Sequence, residues 1–171
     1  LIFTNPRKST GIAYGEANGG LWLDVIPGSD AVLHMAIARV IIENGWEDKE
    51  FIAQWVGNLW ESDSGFGRGW RETPWQWRTT WGKVQADWAG YKKWLLEAKE
   101  SQLDVAEKIT GVSKEKIVKA AEMMAKPKAD GSHPKTSFVF EKGNYWSNNY
   151  GNTLSFASLA LVCGAGNREG R

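Results

Sequence analysis

Three short runs in this sequence carry residue types suited to gripping a phosphate-bearing ligand: Asn5-Pro6-Arg7, Pro27-Gly28-Ser29-Asp30, and the stretch from Glu141 to Asn149. Arg7 presents a planar guanidinium whose paired N–H groups match phosphate oxygens. Backbone N–H groups around Gly28 and Ser29 can reach a ligand that a side chain would hold off. Asp30 offers a carboxylate to the two adjacent donors of a guanine edge, a pattern that adenine lacks. Each residue also has an ordinary use. Asp30 is an N-cap by type, Arg7 follows a proline in a loop, and Lys142 can pair with Glu141 at the surface, where an ion pair contributes little. Trp146 can belong to a core, and asparagines supply turn geometry. The conjunction favours a ligand, because all three runs fall where extended segments end.

The elements that must position them follow from pattern. Leu1 to Thr4 is predicted as a strand ended by Asn5-Pro6, and Leu21 to Ile26 as a second one closed by Pro27-Gly28. Asp30 to Asn44 reads as a helix capped by Ser29 or Asp30. Val32, Leu33, Met35, Ala36, Ile37, Val40 and Ile41 form its apolar face, and Gly45 stops it. Shorter helices are expected over Glu47 to Val56 and Gln102 to Thr110, the latter closed by Gly111. An amphipathic helix is expected over Lys83 to Lys99, a Ser113-capped helix runs to Ala125, and a last helix spans Thr153 to Cys163. Thr136 to Phe140, rich in aromatic and β-branched residues, reads as a strand.

The alternation predicts an α/β fold, part of a Rossmann-like parallel-sheet domain occupying residues 1–171. Residues 57–82, dense in tryptophan and glycine, read as an irregular insertion within it. In such sheets ligands bind outside the carboxyl ends of the strands, where the three runs lie.

Composition narrows the function. A formal charge of +1 supplies no general field for drawing in nucleic acid or a membrane surface. Cys163 is the one cysteine, so neither an intrachain disulfide nor a cysteine metal cluster can form within these residues. The longest apolar run falls short of the ~20 residues a membrane helix needs, and no signal peptide is visible. His34 and His133 have no metal-ligand companions and read as structural, so no metal ligand is expected. GFGRGW at 65–70 only approximates a dinucleotide fingerprint and follows no strand. The apolar run at the start and the glycine-rich turn at the end read as those of an internal piece of a longer protein.

NPRKST, then VIPGSDAVLHMAIARVIIENGWEDKEFI, then AEKITGVSKEKIVKAAEMMA resemble, in order and spacing, the molybdopterin-dependent oxidoreductases of the dimethyl sulfoxide reductase family. That family usually has D-P-R where this chain has Asn5-Pro6-Arg7, and P-G-T-D where it has Pro27-Gly28-Ser29-Asp30. Within it, FEKGNYWSNNYGNTLSFASLALVCGAGNREGR looks most like the arsenite oxidase large subunit, but is one residue shorter between Trp146 and Tyr150. The tryptophan-rich middle lies outside the likeness.

The resemblance implies a bis(molybdopterin guanine dinucleotide) molybdenum cofactor, with the turn at Glu141 to Asn149 against it. Gly143 would permit close backbone approach and Lys142 would meet a phosphate or pterin oxygen. Trp146 would form a flat wall, and Asn148 and Asn149 would supply donors and acceptors. It further implies oxidation of arsenite to arsenate, a small inorganic substrate, and electron transfer through an iron–sulfur cluster whose ligands lie outside these residues. An iron–sulfur partner subunit and a periplasmic location are implied as well. No catalytic residue is assigned, because the substrate-contacting residues of such enzymes follow the glycine-rich turn. Alternatives remain: another branch with arsenate, nitrate or formate chemistry, or a nucleic-acid or carbohydrate binding module using GRGWRETPWQWRTTW. The acidic residues Glu61, Asp63 and Glu72 weigh against the last.

Overall fold

The computed structural model describes residues 1–55, 77–80, 84–86, 88–140, 142–143, 149–166 and 169–170. The chain opens with a β–α–β unit. Strand β1 (Ile2–Thr4) pairs in parallel with β2 (Leu21–Leu23), Phe3 opposite Trp22. Helix α1 (Thr10–Ala17) crosses between them. Ser9 caps it by accepting from the Ile12 N–H at 3.3 Å, and Gly19, at φ +82°, turns the chain back. The sequence pattern does not predict α1, because its glycines and small residues leave no apolar stripe.

Those glycines have a packing reason. A Cβ on Gly15 would sit 2.6 Å from Phe3 Cζ, so α1 lies on the strand only because this position is bare. Gly15→Ala should therefore lose about 1 kcal/mol net, the overpacking cost exceeding the helix-propensity gain. Urea unfolding of the variant measures it, and a stabilised variant would show that Phe3 moves aside freely.

Helix α2 (Asp30–Glu43) is the centre of the core, with Leu33, Ala36, Ile37, Ala38, Val40, Ile41 and Ile42 all buried. A helix buried on most of its surface needs partners on several sides. They are α4 (Trp88–Glu97), α5 (Leu103–Thr110), α6 (Lys114–Ala125) and α7 (Asn149–Val162), while α3 (Lys49–Trp55) follows in chain order. Near its start α2 touches α7 through His34 and Ser155, and the loop beyond its end meets the end of α7, where Asp48 N donates to Val162 O at 3.0 Å. The two helices are therefore parallel, with their N-termini at one end. Arg39 ties α2 to the α4–α5 connection by donating to Leu96 O and Ser101 Oγ. Ser113 caps α6 and Gly111, at φ +75°, ends α5, both as predicted.

Three expectations are corrected. Among the described residues the parallel sheet has two strands, and a separate antiparallel pair joins β3 (Trp77–Thr80) to β4 (Val84–Ala86), so a Rossmann-like sheet is not what they form. That pair also puts regular structure in part of the expected irregular insertion and starts α4 at Trp88; residues 57–76, 81 and 82 of the insertion lie outside the described ones. Finally, Thr136 to Phe140 is not a strand. Thr136 Oγ1 donates to Met124 O, and Phe138 and Phe140 set their rings against Phe156 of α7, centroids 5.3 and 4.6 Å away. The aromatic side chains find partners, but the backbone forms no ladder, and Val139 is 92% exposed.

Candidate functional site

Because β1 and β2 are parallel, the loops that follow them leave the same end of the sheet. Asn5 N donates to Leu23 O at 3.1 Å, extending the ladder by one bond. The Asn5 side chain then accepts from Arg7 N at 2.9 Å, an Asx turn around Pro6. Trp22 Nε1 donates to Asn5 O at 2.7 Å. Lys8 Nζ lies 5.3 Å from the centre of the Trp22 ring and pairs with Glu16 Oε2 at 2.6 Å. Asn5, Pro6 and Arg7 are exposed, and the Arg7 guanidinium has no partner among the described residues.

The second run forms a tight turn. Ile26 N donates to Thr110 O, and Ser29 donates from both N and Oγ to Ile26 O, at 3.1 and 2.7 Å. The buried Ser29 hydroxyl thus points back into the turn. It does not cap α2, and Asp30 is the first helical residue rather than the cap. The Ser29 N–H is likewise committed, which removes it from the expected ligand donors. Gly28, Asp30 and Ala31 are different, for their N–H groups bond no atom of the described residues. Gly28 is exposed at φ +90°, with no atom within 4 Å of where a Cβ would stand. The half-buried Asp30 carboxylate takes no hydrogen bond among the described residues.

The third run is placed through α7. Phe140 packs on Phe156 with the rings tilted, and Phe156 meets the His34 ring edge-on at 5.5 Å, one turn into α2. Exposed Lys142 and Gly143 follow within two or three residues, a reach of at most ~11 Å. Residues 27–30 stand at the N-terminal end of α2, and 142–143 follow the segment that packs on α7 through Phe140. Glu141, Trp146 and Asn148 lie outside the described residues.

No protein-family model matches the chain. It is 62% identical over 172 residues to the iodate reductase subunit IdrA of Pseudomonas sp. (strain SCT), a match covering all of this chain and 19% of that protein. The chain is similar to one segment of IdrA. A weaker likeness, 30% over 168 residues, links 95% of the chain to 16% of the arsenite oxidase subunit AioA of Herminiimonas arsenicoxydans. Acetylene hydratase from Pelobacter acetylenicus has the same fold over 99% of this chain and 18% of its own, with a TM-score of 0.62 at 23% identity. The chain thus spans about a fifth of the length of the curated IdrA relatives it matches.

Within the IdrA-like segment, His34 and Trp22 support the site without belonging to the three runs. His34 Nδ1 lies 3.0 Å from Ser155 Oγ, whose hydroxyl donates to Asn152 O at 2.9 Å. When the Ser155 hydroxyl donates to Asn152 O, the His34 Nδ1–H is the donor to Ser155 Oγ and the ring is the neutral Nδ1–H tautomer. Burial pushes its pKa down to about 4, consistent with that state. His34, expected from sequence to be structural, is buried. Trp22 carries no signal beyond its type, because its bond to Asn5 spans 17 positions.

Proposed function

We propose that this chain is part of the catalytic subunit of a molybdenum oxidoreductase, within a single cofactor-binding domain, and that the end described above holds a molybdopterin guanine dinucleotide. The observation that carries this is the open turn at Gly28. Unbonded N–H groups and an unpaired carboxylate meet there at the start of a buried helix, on the side of the sheet that bears Arg7. This donor set suits an anionic, hydrogen-bond-rich ligand. Arg7 would pair with phosphate, the N–H groups of Gly28 and Asp30 would receive oxygens, and the Asp30 carboxylate would accept from guanine. Lys142 would add a second cation and Gly143 a close backbone approach. When bound, the cofactor supplies two-electron redox chemistry at molybdenum, while the protein orients it and sets its electrostatic surroundings. Ser29, turned inward, holds the cradle rather than the ligand.

For the substrate, the likeness to IdrA at 62% against AioA at 30% supports iodate reduction over the arsenite oxidation implied by the resemblance. An iron–sulfur cluster outside this segment, an electron-transfer partner subunit and a periplasmic location belong to the same proposal. Assaying the full-length enzyme for iodate reduction with a reduced dye, and for arsenite oxidation with an oxidised one, decides between the two substrates.

The cofactor role is tested at Asp30. Asp30→Asn sets a donor against a guanine donor, at about 1–3 kcal/mol, so molybdenum content per protein should fall. A merely structural carboxylate in the first turn contributes about 0.3–1 kcal/mol through the helix dipole. Unchanged molybdenum with a slightly lower Tm would refute the guanine contact.

A further inference from the structure

We propose that Trp22 is a positioning residue that sets the placement of Arg7 for the cofactor, an inference that rests on the reading of this end as the dinucleotide site. Residues 4 to 11 are exposed throughout, so packing does not hold the Arg7 loop. Its geometry is fixed by a short series of constraints that begins at the indole. The Trp22 N–H holds the Asn5 carbonyl at 2.7 Å, and the Asn5 N–H holds Leu23 O, so the plane of the Asn5–Pro6 peptide is set from β2. Pro6 cannot rotate about φ. The remaining torsion of Pro6 is closed by the bond from Arg7 N to Asn5 Oδ1 at 2.9 Å. The Cα of Arg7 is therefore placed by Trp22, although the two side chains are far apart in sequence.

The far side of the loop returns to the same ring. Lys8 sits over the indole while pairing with Glu16 of α1, and Lys116 of α6 approaches the ring at 5.4 Å while pairing with Asp24 at 2.8 Å. Each ammonium brings its own carboxylate, so the cluster adds no net charge to compete for an anionic ligand. An indole meets both requirements, an N–H aimed at the loop and a π-face for cations. Phenylalanine meets only the second, and less well.

The test uses the full-length protein carrying Trp22→Phe, Arg7→Gln or both. In protein produced without cofactor, tryptic cleavage after Arg7 or Lys8 should be about fivefold faster in Trp22→Phe than in the parent, with Tm within a few degrees. In protein produced with cofactor, both single variants should lose molybdenum content, and the double variant should lose no more than Arg7→Gln alone. If Trp22→Phe does not fold, Lys8→Met reads the same loop from the exposed side, through faster cleavage after Arg7. Parent-like cleavage, parent-like content in Trp22→Phe, or losses that multiply in the double variant would each overturn the inference while leaving the site intact. Full molybdenum content in Arg7→Gln would instead overturn the assignment of Arg7 to the site, and the inference with it.

Discussion

Lowering the pH from 7 to 4 should remove roughly 3 kcal/mol of stability through His34 alone, and a His34→Gln protein should lack that component. In the folded protein burial holds the imidazole pKa near 4, against 6.5 for an ordinary histidine. The unfolded chain binds the proton first as pH falls. Stability from this group is therefore complete above about 6.5, declines below it, and is gone once pH passes about 4. The cause is desolvation alone, so salt should change the effect little. Protonation must also place a charge between Ser155 and Phe156, at the contact that holds α2 against α7. Glutamine retains a donor for Ser155 and cannot titrate. The measurement is the difference in urea-unfolding stability between parent and variant as a function of pH, in which carboxylate effects common to both cancel. Parallel profiles between pH 7 and 4 would show that His34 gains solvent or a carboxylate partner.

How much of this was legible in sequence depends on how local each constraint is. The helices α2, α5 and α6 announce themselves, because apolar spacing, a serine before α6 and glycines after α2 and α5 act within one turn. Helix α1 does not, since what allows it is the absence of a side chain at Gly15 opposite Phe3, a contact between elements. The run from Thr136 to Phe140 errs in the other direction. Its residue types fit a strand, but a strand also needs a neighbour to bond, and here the aromatic rings take α7 instead.

The candidate site divides the same way. Arg7, Gly28 and Asp30 are legible because their types and their place at strand ends are visible in the chain itself. The commitment of the Ser29 N–H and hydroxyl to Ile26 is not, since serine before aspartate suggests a cap by type and only the backbone geometry shows otherwise. Substrate is the least local property. The motifs that carry the resemblance sit at the proposed cofactor end, whereas the chain-wide likeness to IdrA is what shifts the proposal from arsenite to iodate.

Gly28 separates the turn from the ligand. Its φ of +90° is a conformation that L residues avoid, and the space where a side chain would stand is open. A glycine there is explained twice, by backbone strain and by room for a ligand, and two substitutions tell these apart. Asparagine tolerates positive φ better than other residues with a side chain. Gly28→Asn should therefore fold with nearly the parent Tm while its side chain occupies the cradle, lowering cofactor affinity by about tenfold, the equivalent of about 1.4 kcal/mol. Valine is branched at Cβ and meets both penalties. Gly28→Val should lose about 1–2 kcal/mol of stability in addition to its cofactor. Molybdenum content and Tm of the two full-length variants give the comparison. If Gly28→Asn retains its molybdenum and only Gly28→Val suffers, the glycine serves the turn alone, and the N–H groups at the start of α2 face solvent rather than a phosphate.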